Sequence, residues 1–387
     1  MKKGVFYWGA GLLMAALAMG TGACTEQKEV KVYPKLIQVE PTKTSHVQGI
    51  AVDREKGFVY ISFTTKLIKT DLQGNIIGSV KGLLGHLGCL EFNSEDGRVY
   101  GSLEYKNDKI GRGILAVNNK ADLQWSNGFY IAIFDVDKID RMEMDAEKDE
   151  VMTSVYLPTV LEDYMGQVEL DGKTLEHRLC CSGIDGVSFG PKFGKTDGQQ
   201  YLTVAYGIYR DLERTDNDYQ VLLQYDTRNW KQYEHALSQH ELHQKGPAMP
   251  DGKYYAFTGN TTYGVQNLEY DEVNKIWLMA VYRGRKPEYP NYGLYAIDAK
   301  AQPEMKPLKG VWYEKEGMVV ELAKLGTRHA QSGVYGWDQD MGATGLESLG
   351  NGQFYTSEVV RQEDLNGAEV KLYDFDPNQA EPFTLAE

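Results

Sequence analysis

Four cysteines, twelve prolines and seven histidines are spread over 387 residues, and the one long apolar run is confined to the N-terminus. Each shortage excludes something. With a formal net charge of -14 and no stripe of lysine and arginine, the chain has nothing to offer a phosphate backbone, so a nucleic-acid partner is excluded. No CxxC spacing or neighbouring His pair accompanies the cysteines, which argues against a zinc framework. There is no Walker loop, no HExxH and no GxSxG elbow, and "DNDYQVLLQYD" lacks the spacing and terminal Glu of an EF-hand loop. His235, His240 and His243 lie close together in "HALSQHELHQ", a pattern more often of surface composition than of a metal site.

The apolar run, "MKKGVFYWGAGLLMAALAMGTGAC", opens with two lysines and closes on small residues, as a secretory signal does, and it is too short for a lasting span. Its end, "TGAC", resembles a bacterial lipobox, with Thr21 where leucine is usual. The resemblance implies lipidation at Cys24 and a cell-envelope location, with the membrane met only through the anchor. An ordinary signal peptide cut near Ala23 is the alternative. Residues 1–24 are then the signal, 25–44 a polar tether and 45–387 the folded domain. Cys89, Cys180 and Cys181 remain. They allow one bridge and one thiol, or three buried thiols.

What is abundant is tyrosine, 26 residues, and glycine, 41 residues, a composition that suits strands and tight turns. Five segments repeat one pattern: "HVQGIAVDREKGFVYISF" from His46, "HLGCLEFNSEDGRVYGSLEY" from His86, "GIDGVSFGPKFGKTDGQQYLTVAYGIY" from Gly183, "GVQNLEYDEVNKIWLMAVY" from Gly264 and "GATGLESLGNGQFYTSEV" from Gly342. Each reads as a short apolar strand, a turn rich in Gly, Asp or Asn, and a second alternating strand. Further strands ending in Asp follow, as in "LIKTD", "YIAIFDVD", "VLLQYD", "GLYAID" and "VKLYDFD". Three or four antiparallel strands repeated about five times describe an all-β fold, a β-propeller around a central channel. Five blades are expected. The stretch 311–336 is the best candidate for an unrecognised further blade, which leaves six or seven open. Polar insertions at 107–127, 142–179 and 286–292 interrupt the rhythm, and loops on a rigid scaffold are the usual carriers of function.

If the first strands line the axis, Ile50, Leu90, Val187, Leu268 and Leu346 form a packed face. The next column is Ala51, Glu91, Ser188, Glu269 and Glu347. Three carboxylates in an otherwise apolar strand must be solvated, paired or bound to a cation, because unpaired burial costs several kcal/mol each. Earlier columns hold Gln48, Asp185 and Gln266, beside which stands Asn267, and before them His46 and His86. Together these tiers describe a small-ligand or cation pocket. Oxygen donors suit calcium, and the two histidines bring zinc into contention. The second strands end in Tyr209 and Arg210 and in Tyr282 and Arg283, a charged rim where arginine can clamp an oxyanion and tyrosine can stack on a sugar.

The column of Glu91, Glu269 and Glu347 with charged second-strand ends resembles the five-bladed calcium-activated nucleotidases of the apyrase type. That resemblance implies an axial calcium and hydrolysis of nucleotide phosphates, with Ser188 as a departure and Ala51 lacking a ligand group. Five-bladed glycosidases of the arabinanase type are a rival, since they also set three carboxylates around the axis. Three functions follow as expectations. One is a lipid-anchored propeller binding a small anionic or saccharide ligand, with calcium. The second is a hydrolase of glycans or phosphate esters using Glu91, Glu269 and Glu347, with Arg210 and Arg283 as clamps and His46 or His86 as acid or base. The third is a protein-interaction propeller without small-molecule chemistry.

Overall fold

The five repeated segments each fold into an inner strand, a tight turn and a returning strand. The pairs are Val47–Asp53 with Phe58–Phe63, His86–Asn93 with Arg98–Tyr105, Cys181–Pro191 with Gln200–Ile208, Thr262–Asp271 with Ile276–Tyr282, and Leu346–Ser348 with Gln353–Gln362. The turn chemistry recurs. Asp53, Asn93 and Asp271 each accept a backbone N–H two residues on, at 2.8 to 3.0 Å, which closes the turn with a side chain. Third strands follow at Lys66–Asp71, Gly128–Phe134, Tyr219–Tyr225, Leu294–Asp298 and Leu365–Phe375.

The computed structural model describes Met1 and residues 32–387, so the signal segment, Cys24 and the first part of the tether lie outside the described residues. Within 34–387 the first strand of each hairpin packs on the first strand of the next, and that of the fifth packs on that of the first. The ring is a five-bladed β-propeller. Among the described residues no helix is long and apolar enough to cross a membrane.

Apolar side chains between neighbouring blades hold the ring. Ala51, Tyr60 and Leu67 of the first blade meet Leu90, Val99 and Tyr105 of the second, and Leu278 and Ala280 of the fourth meet Leu346 and Phe354 of the fifth. Each fully buried aliphatic side chain of this kind contributes roughly 1.5–3 kcal/mol. Ile50, Leu90, Val187, Leu268 and Leu346 are all buried, as the packed face requires.

The fifth blade is completed from the other end of the chain. Leu36–Thr42 pairs antiparallel with Leu365–Phe375, placing Ile37 and Val39 in the core. Part of the stretch read as tether is therefore a strand of the propeller. The stretch 311–336 makes no blade of its own. Glu316–Val320 runs parallel to the outer strand Gly252–Phe257 of the third blade, while Leu322 and Trp337 bridge to Leu294–Asp298 of the fourth. The insertions carry structure too: a helix at Lys109–Val117, a second at Pro158–Met165, and Met152–Tyr156 as the fourth strand of the second blade.

Candidate functional site

In an unbroken strand, residues three apart point to opposite faces, so Gln48 and Ala51, or Gln266 and Glu269, should not share the axis. The strands are broken. Each of the first four inner strands carries a register shift, between Val47 and Gly49, Leu87 and Leu90, Ile184 and Val187, and Val265 and Asn267. One extra residue in each turns the polar column before the bulge and the carboxylate column after it toward the same axis. The carbonyls freed at the bulges find new donors. Ser62 Oγ donates to Gly88 O at 2.6 Å, and Ser102 Oγ donates to Asp185 O at 2.7 Å, tying each blade to the next.

The axis thereby acquires two separate ends. Between them Asn267, fully buried, donates from Nδ2 to Gln48 O at 3.1 Å, joining the fourth blade to the first across the channel. Asn267 lines neither end; it bridges the middle. The two cavities share no lining residue, and the five residues from His86 to Glu91 amount to about 16 Å of strand.

At the first end, His46, Gln48, His86, Asp185, Tyr209 and Gln266 come together around a cavity of about 280 Å³. Its remaining walls include Glu104, Lys106, Ser182, Tyr263 and Tyr282; Tyr282 stands out in the sequence as a stacking ring, whereas Ser182 and Tyr263 do not. Its floor is a buried ion pair: Lys106 Nζ lies 2.7 Å from Glu104 Oε2 and donates to Ser182 O at 2.8 Å. Burial alone would lower the Lys106 pKa, but the Glu104 and Asp108 carboxylates outweigh it and hold the ammonium charged. Glu104 Oε1 accepts from Ile184 N at 2.6 Å. That contact needs Gly183, at φ 125°, where a Cβ would stand 1.8 Å from the same oxygen.

Around this pair the neutral forms prevail. Burial, then the charge of Lys106, pushes His86 down to about 3, and its Nδ1 is buried without a hydrogen bond, 3.9 Å from Glu104 Oε2. Burial, then the Glu104 charge, holds Asp185 well above the usual carboxylate range. Gln266 Nε2 donates to Asp185 Oδ2 at 3.2 Å, and Gln48 Nε2 approaches His46 Nε2 at 3.1 Å. Because His46 Nδ1 lies 2.9 Å from Val47 O, that nitrogen carries the proton and Nε2 accepts from Gln48. Tyr263 and Tyr282 remain exposed at the mouth, 44% and 36% respectively. Tyr263 sits at φ 65°, a left-handed conformation that costs a bulky residue on the order of 1–3 kcal/mol.

At the other end Glu91, Glu269 and Glu347 converge, with one oxygen from each within 4.8 Å of the others, on the floor of a cavity of about 550 Å³. All three are buried, and Oε2 of each lacks a hydrogen-bond partner. Burial pushes Glu91 up to about 7, against the relief of hydrogen bonds from Glu269 and Ser188. Burial and then the charges of their neighbours raise Glu269 and Glu347 well above the carboxylate range. Arg54, another residue missed in sequence, stands at the mouth, paired with Glu272 at 2.7 Å and favouring the ionised form of Glu347. Three carboxylates sharing one small volume, with an unpartnered oxygen each, are a donor set that could hold a hard divalent cation. The histidines that brought zinc into contention lie at the opposite end.

Arg210 and Arg283 belong to neither axial cavity but to an adjoining groove, and Arg283 is engaged by Asp338 and Asp340. Cys89, Cys180 and Cys181 are all buried free thiols, and burial pushes Cys89 up to about 12. His243 packs on His235 and meets Ser154 Oγ at 2.9 Å; among the described residues the three glutamates alone are grouped to hold a metal. No protein-family model matches the chain, and no curated protein matches it either.

Proposed function

We propose that the protein is a cell-envelope β-propeller, exported and lipid-anchored at Cys24, that binds a saccharide in the pocket between His46, His86, Asp185 and Gln266, with calcium at Glu91, Glu269 and Glu347. The observation that carries the saccharide reading is the mouth of that pocket. An aromatic ring held at a strained backbone position beside a second exposed tyrosine is a stacking platform, and strain of this kind persists where function requires it. Below the rings, Gln48, Gln266, the neutral Asp185 and the unpartnered Nδ1 of His86 offer donors and acceptors at close quarters, as a ring of hydroxyl groups needs.

The cation serves the other end. Bound calcium would supply the positive charge that lets the three buried carboxylates ionise together, and in doing so would lock three blades at the axis.

A second reading, hydrolysis of a glycan or phosphate ester, draws support from the pocket rather than from the glutamates. Burial and the Glu104 charge favour the protonated form of Asp185, and burial favours the neutral imidazole of His86 in the same cavity, the division of roles that general acid–base chemistry uses. Turnover separates the readings: a hydrolase cleaves the glycan or ester it binds and loses that turnover in Asp185→Asn, whereas a binder shows no turnover in the wild type either. The test of the saccharide reading itself is Tyr263→Gly. Glycine relieves the φ 65° strain, so the thermal midpoint should hold or rise while glycan affinity falls at least about tenfold. Unchanged glycan affinity in that variant would remove the platform from the account.

A further inference from the structure

Next to the saccharide pocket runs a groove of about 570 Å³, and Tyr282 lines both. The continuity extends along the chain: Tyr209 faces the pocket and Arg210, the next residue, lines the groove. Three arginines, Arg210, Arg283 and Arg285, reach this groove, against two acidic side chains, Asp340 and Glu358. Both acids are engaged. Asp340 pairs with Arg283 at 2.5 Å, and Glu358 with Lys371 at 2.8 Å. Arg283 is in turn occupied by Asp338 as well. Among the described residues, Arg210 and Arg285 have neither an ion pair nor a side-chain hydrogen bond, and both are exposed. Two uncommitted guanidinium groups over a wall that includes Val281, Met341 and Ala343 are unusual on a chain with a formal net charge of -14.

We infer that this groove is an oxyanion subsite of the saccharide pocket, and that the ligand is an acidic saccharide whose carboxylate or sulfate group is clamped by Arg210 and Arg285 while a sugar ring stacks on Tyr263 and Tyr282. The inference rests on the saccharide reading above. The guanidinium fork suits both anions, because each presents two coplanar oxygens to paired N–H donors. Arg283, which the sequence pairs with Arg210 as a clamp, acts differently: its two aspartates fix the groove wall and leave recognition to its neighbours.

The experiment is an array of neutral, uronate-bearing and sulfated glycans probed with the mature chain, with Arg210→Ala/Arg285→Ala and with Tyr263→Gly. Acidic glycans should bind, the double arginine variant should weaken them at least about tenfold and leave thermal stability unchanged, and Tyr263→Gly should weaken acidic and neutral forms alike. Lysine at both arginine positions should restore only part of the affinity, since it keeps the charge and loses the fork. Preference between uronate and sulfate on the array identifies which anion the clamp takes. Neutral glycans binding as tightly as acidic ones, or acidic binding that survives the double variant, overturns the subsite and leaves the saccharide reading standing. Binding of no glycan overturns both.

Discussion

Glu269 shows how much physical consequence one side chain can carry. A carboxyl group whose folded-state pKa is raised holds its proton in the folded chain at a pH where the unfolded chain has lost it. Stability therefore falls as pH rises above the ordinary carboxylate value of about 4.5, by up to about 1.4 kcal/mol per pH unit for each proton involved. Glu91 carries this window to about 7, and Glu269 and Glu347 are raised in the same direction. In chelator the thermal midpoint should drop between pH 5 and pH 8, and Glu269→Gln should flatten the drop; a wild-type midpoint level across that range would mean that the three carboxyl groups are not raised. The same residues were legible in sequence, because carboxylates in an apolar strand call for an explanation. Tyr263 was not, since a positive φ leaves no mark beyond the glycine that follows it. The partners of Arg283 were not legible either: Asp338 and Asp340, which pair with it, come from a distant stretch whose position only the folded chain reveals.

Among the elements, hairpins were the easiest to read and edges the hardest. The five turn-bounded pairs announce themselves by alternation and Asx turns, local signals complete within about twenty residues. The strand Leu36–Thr42 has no local partner. Its pairing with Leu365–Phe375 spans the whole chain, and with one face exposed its short alternation reads as a polar tether. The bulges were also silent, because register is a property of two strands and a sequence displays one at a time. Without the bulges, the sequence shows one axial pocket where the folded chain has two. A chain beginning after Thr42 loses Ile37 and Val39 from the core and leaves Leu365–Phe375 as an open edge. Denaturant unfolding should show a loss of roughly 3–6 kcal/mol, the burial of two aliphatic side chains. An unchanged midpoint would show that closure by this strand contributes nothing.

For the molecule as a whole, the axis is divided: a polar pocket with an aromatic mouth lies at one end, a carboxylate cluster at the other, and Asn267 between them. The division sets the decisive experiment. Thermal unfolding of the mature chain is followed in chelator and in calcium, for wild type, for Glu269→Gln and for His86→Ala. Binding to the folded state raises the midpoint by mass action, so calcium should stabilise the wild type, more at pH 8 than at pH 5. The rise should vanish in Glu269→Gln and persist in His86→Ala, whose cavity lies at the far end of the axis. No calcium-dependent rise in the wild type, or a rise that survives Glu269→Gln and is lost in His86→Ala, would contradict the division.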